Sequence, residues 1–394
     1  MRAIALTTAL LVGACSTGHA KPPALSSATS LVGGHWSELP PAPIEDRAGS
    51  AQTWTGSELL VWGGEDNAHE TLLGDGAAYD PSTRHWTKLP DSPLGPRGGV
   101  VSVWTGNEWF ILGGYADSHV PPPPLPLSGA AYNPTAHSWR SLAPPPVVGQ
   151  LASAVWTDTG VIALSIGGQG ARYDPVANAW RRLPSVPAPP SHDLDQPFAV
   201  VSGKRLLVWW QFTQTTTAPS FSSSTAGFDL FSLDLGKLRW SRVPPTRDTD
   251  VGVHDLYAVG HDVLLPAMPM PTTGFGGGPP SGLRGHRYEP ARNRYVLLPH
   301  GPVDDTYGPT MWTGAALLRF STGLGGGEQP GDGAVWDAKA NRWSPLPRAP
   351  LFADPGSPTG VWTGREVLMW GQLYRPAVPN EPPALAGVGL RFGR

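Results

Sequence analysis

Cysteine is almost missing from this chain: Cys15 is the only one in 394 residues. That excludes internal disulfides and thiolate zinc sites, so stability must come from burial and strand pairing. Charge is also scarce, at 15% of residues against roughly 25% in an ordinary domain. No run of Lys or Arg occurs and the formal net charge is −3, so nucleic acid is not an expected partner. Nowhere does an apolar stretch reach the roughly 18 residues of a membrane-spanning helix. The 11 His show no paired ligand spacing, with His69, His119 and His137 isolated in expected loops. The acidic run His192-Asp193-Leu194-Asp195 has the chemistry to hold a cation, but short acidic loops are usually just solvated. Gly-x-Ser-x-Gly is missing, and the glycine runs at 274–278 and 323–327 lack the Lys-Ser/Thr of a phosphate loop. No metal, cofactor or catalytic set is therefore expected.

What is abundant is glycine (49), proline (46) and tryptophan (17). Gly and Pro at this level approach a disordered composition. The Trp residues and the many Val/Leu runs supply too much burial surface for that. Gly and Pro then read as punctuation in a fold with many turns.

The first residues read as a targeting segment. Arg2 is followed by an apolar stretch from Ala3 to Ala14 and then small residues. Leu11-Val12-Gly13-Ala14-Cys15 resembles a bacterial lipobox. That resemblance implies cleavage after residue 14 and lipidation of Cys15, with 15–31 as a flexible tether rich in Ser, Thr, Ala and Pro. Ordinary cleavage after Gly18-His19-Ala20 is the alternative. The expected location is the cell envelope, lipid-anchored, or periplasmic or extracellular if the lipobox is unused; the membrane is contacted only through the anchor.

Internal repetition dominates residues 32–394. The first full unit runs Trp54-Thr55-Gly56, Leu59-Leu60-Val61-Trp62-Gly63-Gly64, Tyr79-Asp80-Pro81, and Trp86 to Leu89-Pro90. Trp104, Trp156, Trp312 and Trp362 restart the pattern, and units four and five keep it only in degraded form. Trp54 to Trp104 is 50 residues and Trp156 to Trp312 is 156, or three units of 52. Each unit reads as four short strands. Thr-Gly supplies a hairpin turn, Gly-Gly a second turn, and the two prolines end the third and fourth strands. The last unit lacks a fourth strand, and Trp36-Ser37-Glu38-Leu39-Pro40 supplies one from the other end of the chain. Six full units and this composite one give an all-β, seven-bladed propeller closed by its N-terminal strand.

The Gly-Gly, Tyr-Asp-Pro and Trp-x-x-Leu-Pro elements together resemble the Kelch and galactose-oxidase-like propeller superfamily. The copper oxidases of that superfamily need a Tyr–Cys cofactor, which the lone Cys15 excludes. Its sialic-acid mutarotases imply a sugar-processing alternative, with acid–base work by Arg47, Arg97 and an acidic partner such as Asp305.

Recurring Trp residues are expected to be core between blades. Function is expected on loops. The long segments Glu65 to Asp75, Tyr115 to Ser128 and Gln211 to Gly227 are expected to be loops on the face shared with the inter-blade links. Arg47, Arg97, Gln150, Asp195, Asp250, His254, Asp305 and Tyr307 lie in those links and would ring the channel mouth. As a group they are expected to hold a polar ligand, a glycan or an envelope protein. Singly, each is as well explained as a cap on a strand end. The protein is expected to be a monomeric binding module without a cofactor.

Overall fold

A computed structural model describes residues 31–66, 69–116, 127–187, 196–218, 221–244, 251–252, 256–266, 268–269, 285–301, 308–321, 331–353, 360–375 and 384–393. Seven four-stranded antiparallel sheets form the blades of a β-propeller. Blade one comprises Ala51–Trp54, Leu59–Trp62, Gly76–Asp80 and His85–Lys88, in that order from the inside outward. The first strands of successive blades touch one another around the ring and so line the axis.

Burial explains the strand pattern. The second strand of each blade is covered by neighbouring blades on both faces, so Leu59–Trp62 and Gly160–Ser165 are buried throughout. A strand buried on both faces reads as an apolar run without alternation. The apolar clusters sit between blades, one at each boundary. Leu39, Val61, Tyr79, Trp86, Leu368 and Trp370, for instance, join blade seven to blade one.

The Trp-x-x-Leu-Pro element has a second role. The fourth-strand indole N–H donates to the carbonyl just past the fourth strand of the preceding blade. Trp86 reaches Pro40 at 3.0 Å, Trp139 reaches Pro90 at 3.0 Å, and Trp180 reaches Ala143 at 2.6 Å. Trp240 and Pro184, Trp343 and Pro299, and Trp36 and Pro347 are each 2.9 Å apart. Blade five has Tyr295 at this position, and its hydroxyl is buried without a hydrogen-bond partner among the described residues.

The ring closes as the sequence implies. His35–Glu38 pairs antiparallel with Leu390–Gly393, with Trp36 opposite Phe392. Trp36 packs on Phe392 at 4.7 Å and edge-on to Phe320 at 5.4 Å.

Two expected loops are strands. Glu65–Asp66 and Thr71–Leu72 form a small hairpin. Gln211 to Gly227 continues blade four: Arg205–Ala218 pairs with Phe221–Asp234 along its whole length, ending with Ala218 opposite Phe221. Polarity and the lack of a Gly-Gly made this segment look like a loop. Its Thr and Phe content favours strand instead.

Candidate binding face

The links between blades and the loops between second and third strands share one face. Arg47 belongs to the link into blade one, and its side chain is fully buried. Its Nη1 donates to the Gly63 carbonyl at 3.4 Å, the Asp75 carbonyl at 3.2 Å and the Asp75 carboxylate at 2.8 Å. Nε donates to the Glu45 carbonyl at 2.8 Å. Arg97 repeats the arrangement one blade on, donating to the carbonyls of Gly113 at 3.1 Å and Ser128 at 3.4 Å. Each guanidinium thus clamps the turn after the second strand to the start of the third. The guanidiniums add a second donor to the Asp75 and Ser128 carbonyls, which already accept from the Gly63 and Gly113 amides at 3.1 Å.

Gln150 is half-buried, and its carbonyl accepts from the Ile166 amide at 2.8 Å. Its side-chain amide lies near Gly99, over which the Tyr115 ring is packed. Gly99 has φ +59°, and a Cβ there would meet the Tyr115 ring at 2.5 Å, so only glycine fits. Tyr115 donates its hydroxyl to Glu65 of blade one, which ties two blades together on this face. Burial and that carboxylate push the Tyr115 hydroxyl well above the usual phenol range. Asp195, Asp250, His254, Asp305 and Tyr307 lie outside the described residues, as does Cys15.

Several residues on this face were not singled out by sequence reasoning. Asp46, next to Arg47, accepts from the amides of Arg47 and Gly387, which links blade one to blade seven. Its Oδ2 is buried without a partner among the described residues. Burial pushes its carboxyl up to about 6, against the opposing pull of those hydrogen bonds and of the Arg47 charge. His69 is not isolated: its Nδ1 lies 2.5 Å from Asp66 Oδ2, and that hydrogen bond raises the imidazole pKa.

Beside Arg47 lies an open cleft of about 580 Å³, lined by Ala42 to Glu45 on one side and by Leu72 to Asp75 with Lys88 on the other. Its polar groups are the Glu45 and Asp75 carboxylates and the Lys88 ammonium, which stands 3.7 Å from Asp75. The link repeats the Leu-x-x-x-Pro-apolar spacing of other links (Leu39, Pro43 and Ile44 against Leu89, Pro93 and Leu94), but nothing local sets it against Asp75. Among the described residues, no group of three His, Cys, Asp or Glu is placed to hold a metal ion. Among them also, no helix is long and apolar enough to cross a membrane.

No family model matches this sequence and no curated protein matches it, so the chain is placed by its fold, a seven-bladed β-propeller.

Proposed function

We propose that this chain is a Kelch-type propeller of the cell envelope that binds a glycan on its link face without transforming it. The observation that carries the reading is the cleft between the 42–45 link and the 72–75 segment. Its volume falls in the usual range for small-molecule sites, roughly 300–1,000 Å³. Two carboxylates and an ammonium beside Leu72, Leu73 and Ile44 offer hydrogen bonds to hydroxyls and apolar contact to a sugar face. Binding is favoured over mutarotation because Arg47 is buried on the Gly63 and Asp75 carbonyls and the Asp75 carboxylate, and Arg97 Nη1 is held by the Gly113 and Ser128 carbonyls.

The test is a thermal-shift screen of the full chain against a glycan panel that includes sialic acids. A bound sugar at a hundred times its dissociation constant adds about 2.7 kcal/mol of stability. Glu45→Gln with Lys88→Ala should abolish the shift and leave the unliganded Tm nearly unchanged, since the Glu45 side chain takes no part in the clamp and Lys88 meets the Asp75 carboxylate only through an exposed pair at 3.7 Å. Anomer exchange of the bound sugar, followed by NMR, should run at its uncatalysed rate. If no sugar shifts the Tm, or the double variant still responds, the reading fails.

A further inference from the structure

The sequence has no run of basic residues, yet folding builds a cationic area on the face opposite the links. That face carries the turns between first and second strands and between third and fourth strands. In blade one the first of these turns ends at Glu58, and blades two and seven place Glu108 and Glu366 at the same point. Blade four places Arg205 there, preceded by Lys204. Arg205 lies beside Asp234 across the sheet, and Asp234 lies beside Arg239. Lys237 stands in the intervening turn, and blade five adds Arg292 and Arg294 in its corresponding turn.

All six cations are exposed. The carboxylates among them are already engaged, and Asp262, which blade five places at the end of its first turn, lies 3.6 Å from Arg287. Asp234 accepts from the Gly236 and Lys237 amides at 3.0 and 2.9 Å, as a turn-capping aspartate does. Glu289 is shared by Arg294 at 2.8 Å, Arg292 at 3.0 Å and Arg287 at 3.2 Å, and the guanidiniums of Arg294 and Arg292 hold its carboxyl down to about 2. Lys204, Lys237 and Arg239 have no ion pair among the described residues. A net positive area thus stands out on a chain whose overall charge is −3.

The position of the N-terminal segment says what faces this area. Fourth strands begin at the turn face, and His35 begins the fourth strand of blade seven. Its partner Gly393 lies beside the Arg365–Glu366 turn. The thirty or so residues before Leu31, which include Cys15, therefore join the propeller on the same face as the cations. We propose that the turn face of blades four and five docks on an anionic lipid bilayer, with Lys204, Lys237 and Arg239 as the principal contacts. An anchor on Cys15 would bring this face to the bilayer, and the basic area would supply the second signal that makes such anchoring firm. The acidic turns of blades one, two and seven would stand away from the lipid, so the ring would lie tilted.

The proposal is tested without the anchor, on the full chain carrying Cys15→Ser. Co-sedimentation is measured with phosphatidylcholine vesicles and with the same vesicles containing phosphatidylglycerol. Binding should require phosphatidylglycerol and fall steeply as salt rises past the range where the Debye length shrinks below about 10 Å. Lys204→Glu, Lys237→Glu and Arg239→Glu together should weaken it more than tenfold, with an unchanged Tm. Lys339→Glu with Arg342→Glu, on the same face of blade six, should leave most of it. Equal binding to both vesicles would point to apolar insertion by the N-terminal stretch and overturn the proposal. So would no binding, or binding that survives the triple variant. Retention on a soluble polyphosphate without vesicle binding would also overturn it.

Discussion

The boundary between blades four and five and the boundary that closes the ring are built on one plan with different success. At the closing boundary, between blades six and seven, Trp36 comes from the far end of the chain. It still makes the full contact: an indole N–H on the Pro347 carbonyl and a ring packed on Phe392 and Phe320. At the four–five boundary Tyr295 replaces the indole and leaves a buried hydroxyl without a partner among the described residues. Burial raises that hydroxyl's pKa, which marks a polar group in a poor solvent. Blade four shows the same erosion in its last turn. Leu238 sits there at φ +51°, where blades three, five and six use Asn178, Asn293 and Asn341. Asn tolerates the left-handed region better than Leu. The Asn residues are also used: Tyr173, Tyr288 and Trp336 of the third strands donate to them at 2.7, 2.9 and 3.2 Å. In blade four both members of that pair are lost, with Leu233 in the place of the aromatic ring. The same latch position is thus filled by a bonded indole where distant chain ends meet, and by a phenol without a partner among the described residues where they do not.

The largest effect should come from breaking the closing boundary. Trp36→Ala should cost about 3 kcal/mol, from lost packing and an orphaned carbonyl. Urea unfolding should show the lowered midpoint, and hydrogen exchange should show Val367–Met369 and Leu390–Gly393 losing protection first.

Titration offers a smaller effect at the neighbouring junction of blades seven and one. Asp46 has its folded pKa raised from 3.8 to about 6. The folded state therefore binds the proton more tightly than the unfolded chain, and stability falls as pH rises from about 4 to 6, then levels. Asp46→Asn removes that loss. It should stabilise the protein by about 1 kcal/mol at pH 7, the full value of the shift being discounted for partial hydration, and by nothing at pH 4. Melting curves at the two pH values check the sign.

A matched pair of conservative changes sharpens the contrast further. Trp343→Phe removes a satisfied donor and should destabilise by about 1 kcal/mol. Tyr295→Phe removes an unsatisfied one and should stabilise by a similar or smaller amount. Chemical denaturation of the two variants should give shifts of opposite sign; the same sign for both would remove the latch from the account of the boundaries.

Much of the fold is legible in the residues because a propeller is periodic. The Trp54-to-Trp104 spacing, the Gly-Gly turns and the Trp36-to-Pro40 element determine blade number, strand order and ring closure. The binding face is less legible. Arg47 and Arg97 are recognisable as link residues, but nothing local says that their guanidiniums turn back onto Gly63, Asp75, Gly113 and Ser128. The Gln211–Gly227 segment reads as a loop because its strand pairing is with itself, without the apolar pattern that burial imposes elsewhere.

The sequence alone determined that this is an all-β ring of seven units, because each unit repeats the same short-range turn and burial chemistry. Only the tertiary structure decided where charge accumulates. Lys237 and Arg239 flank Leu238 at one turn, but Lys204 lies more than thirty residues upstream, and no local window shows all three together. They share a surface because antiparallel strands bring alternate turns to the same end of each blade. By the same geometry the 42–45 link meets Asp75 at the other end, and Trp36 meets Phe320 and reaches Pro347 from 311 residues away.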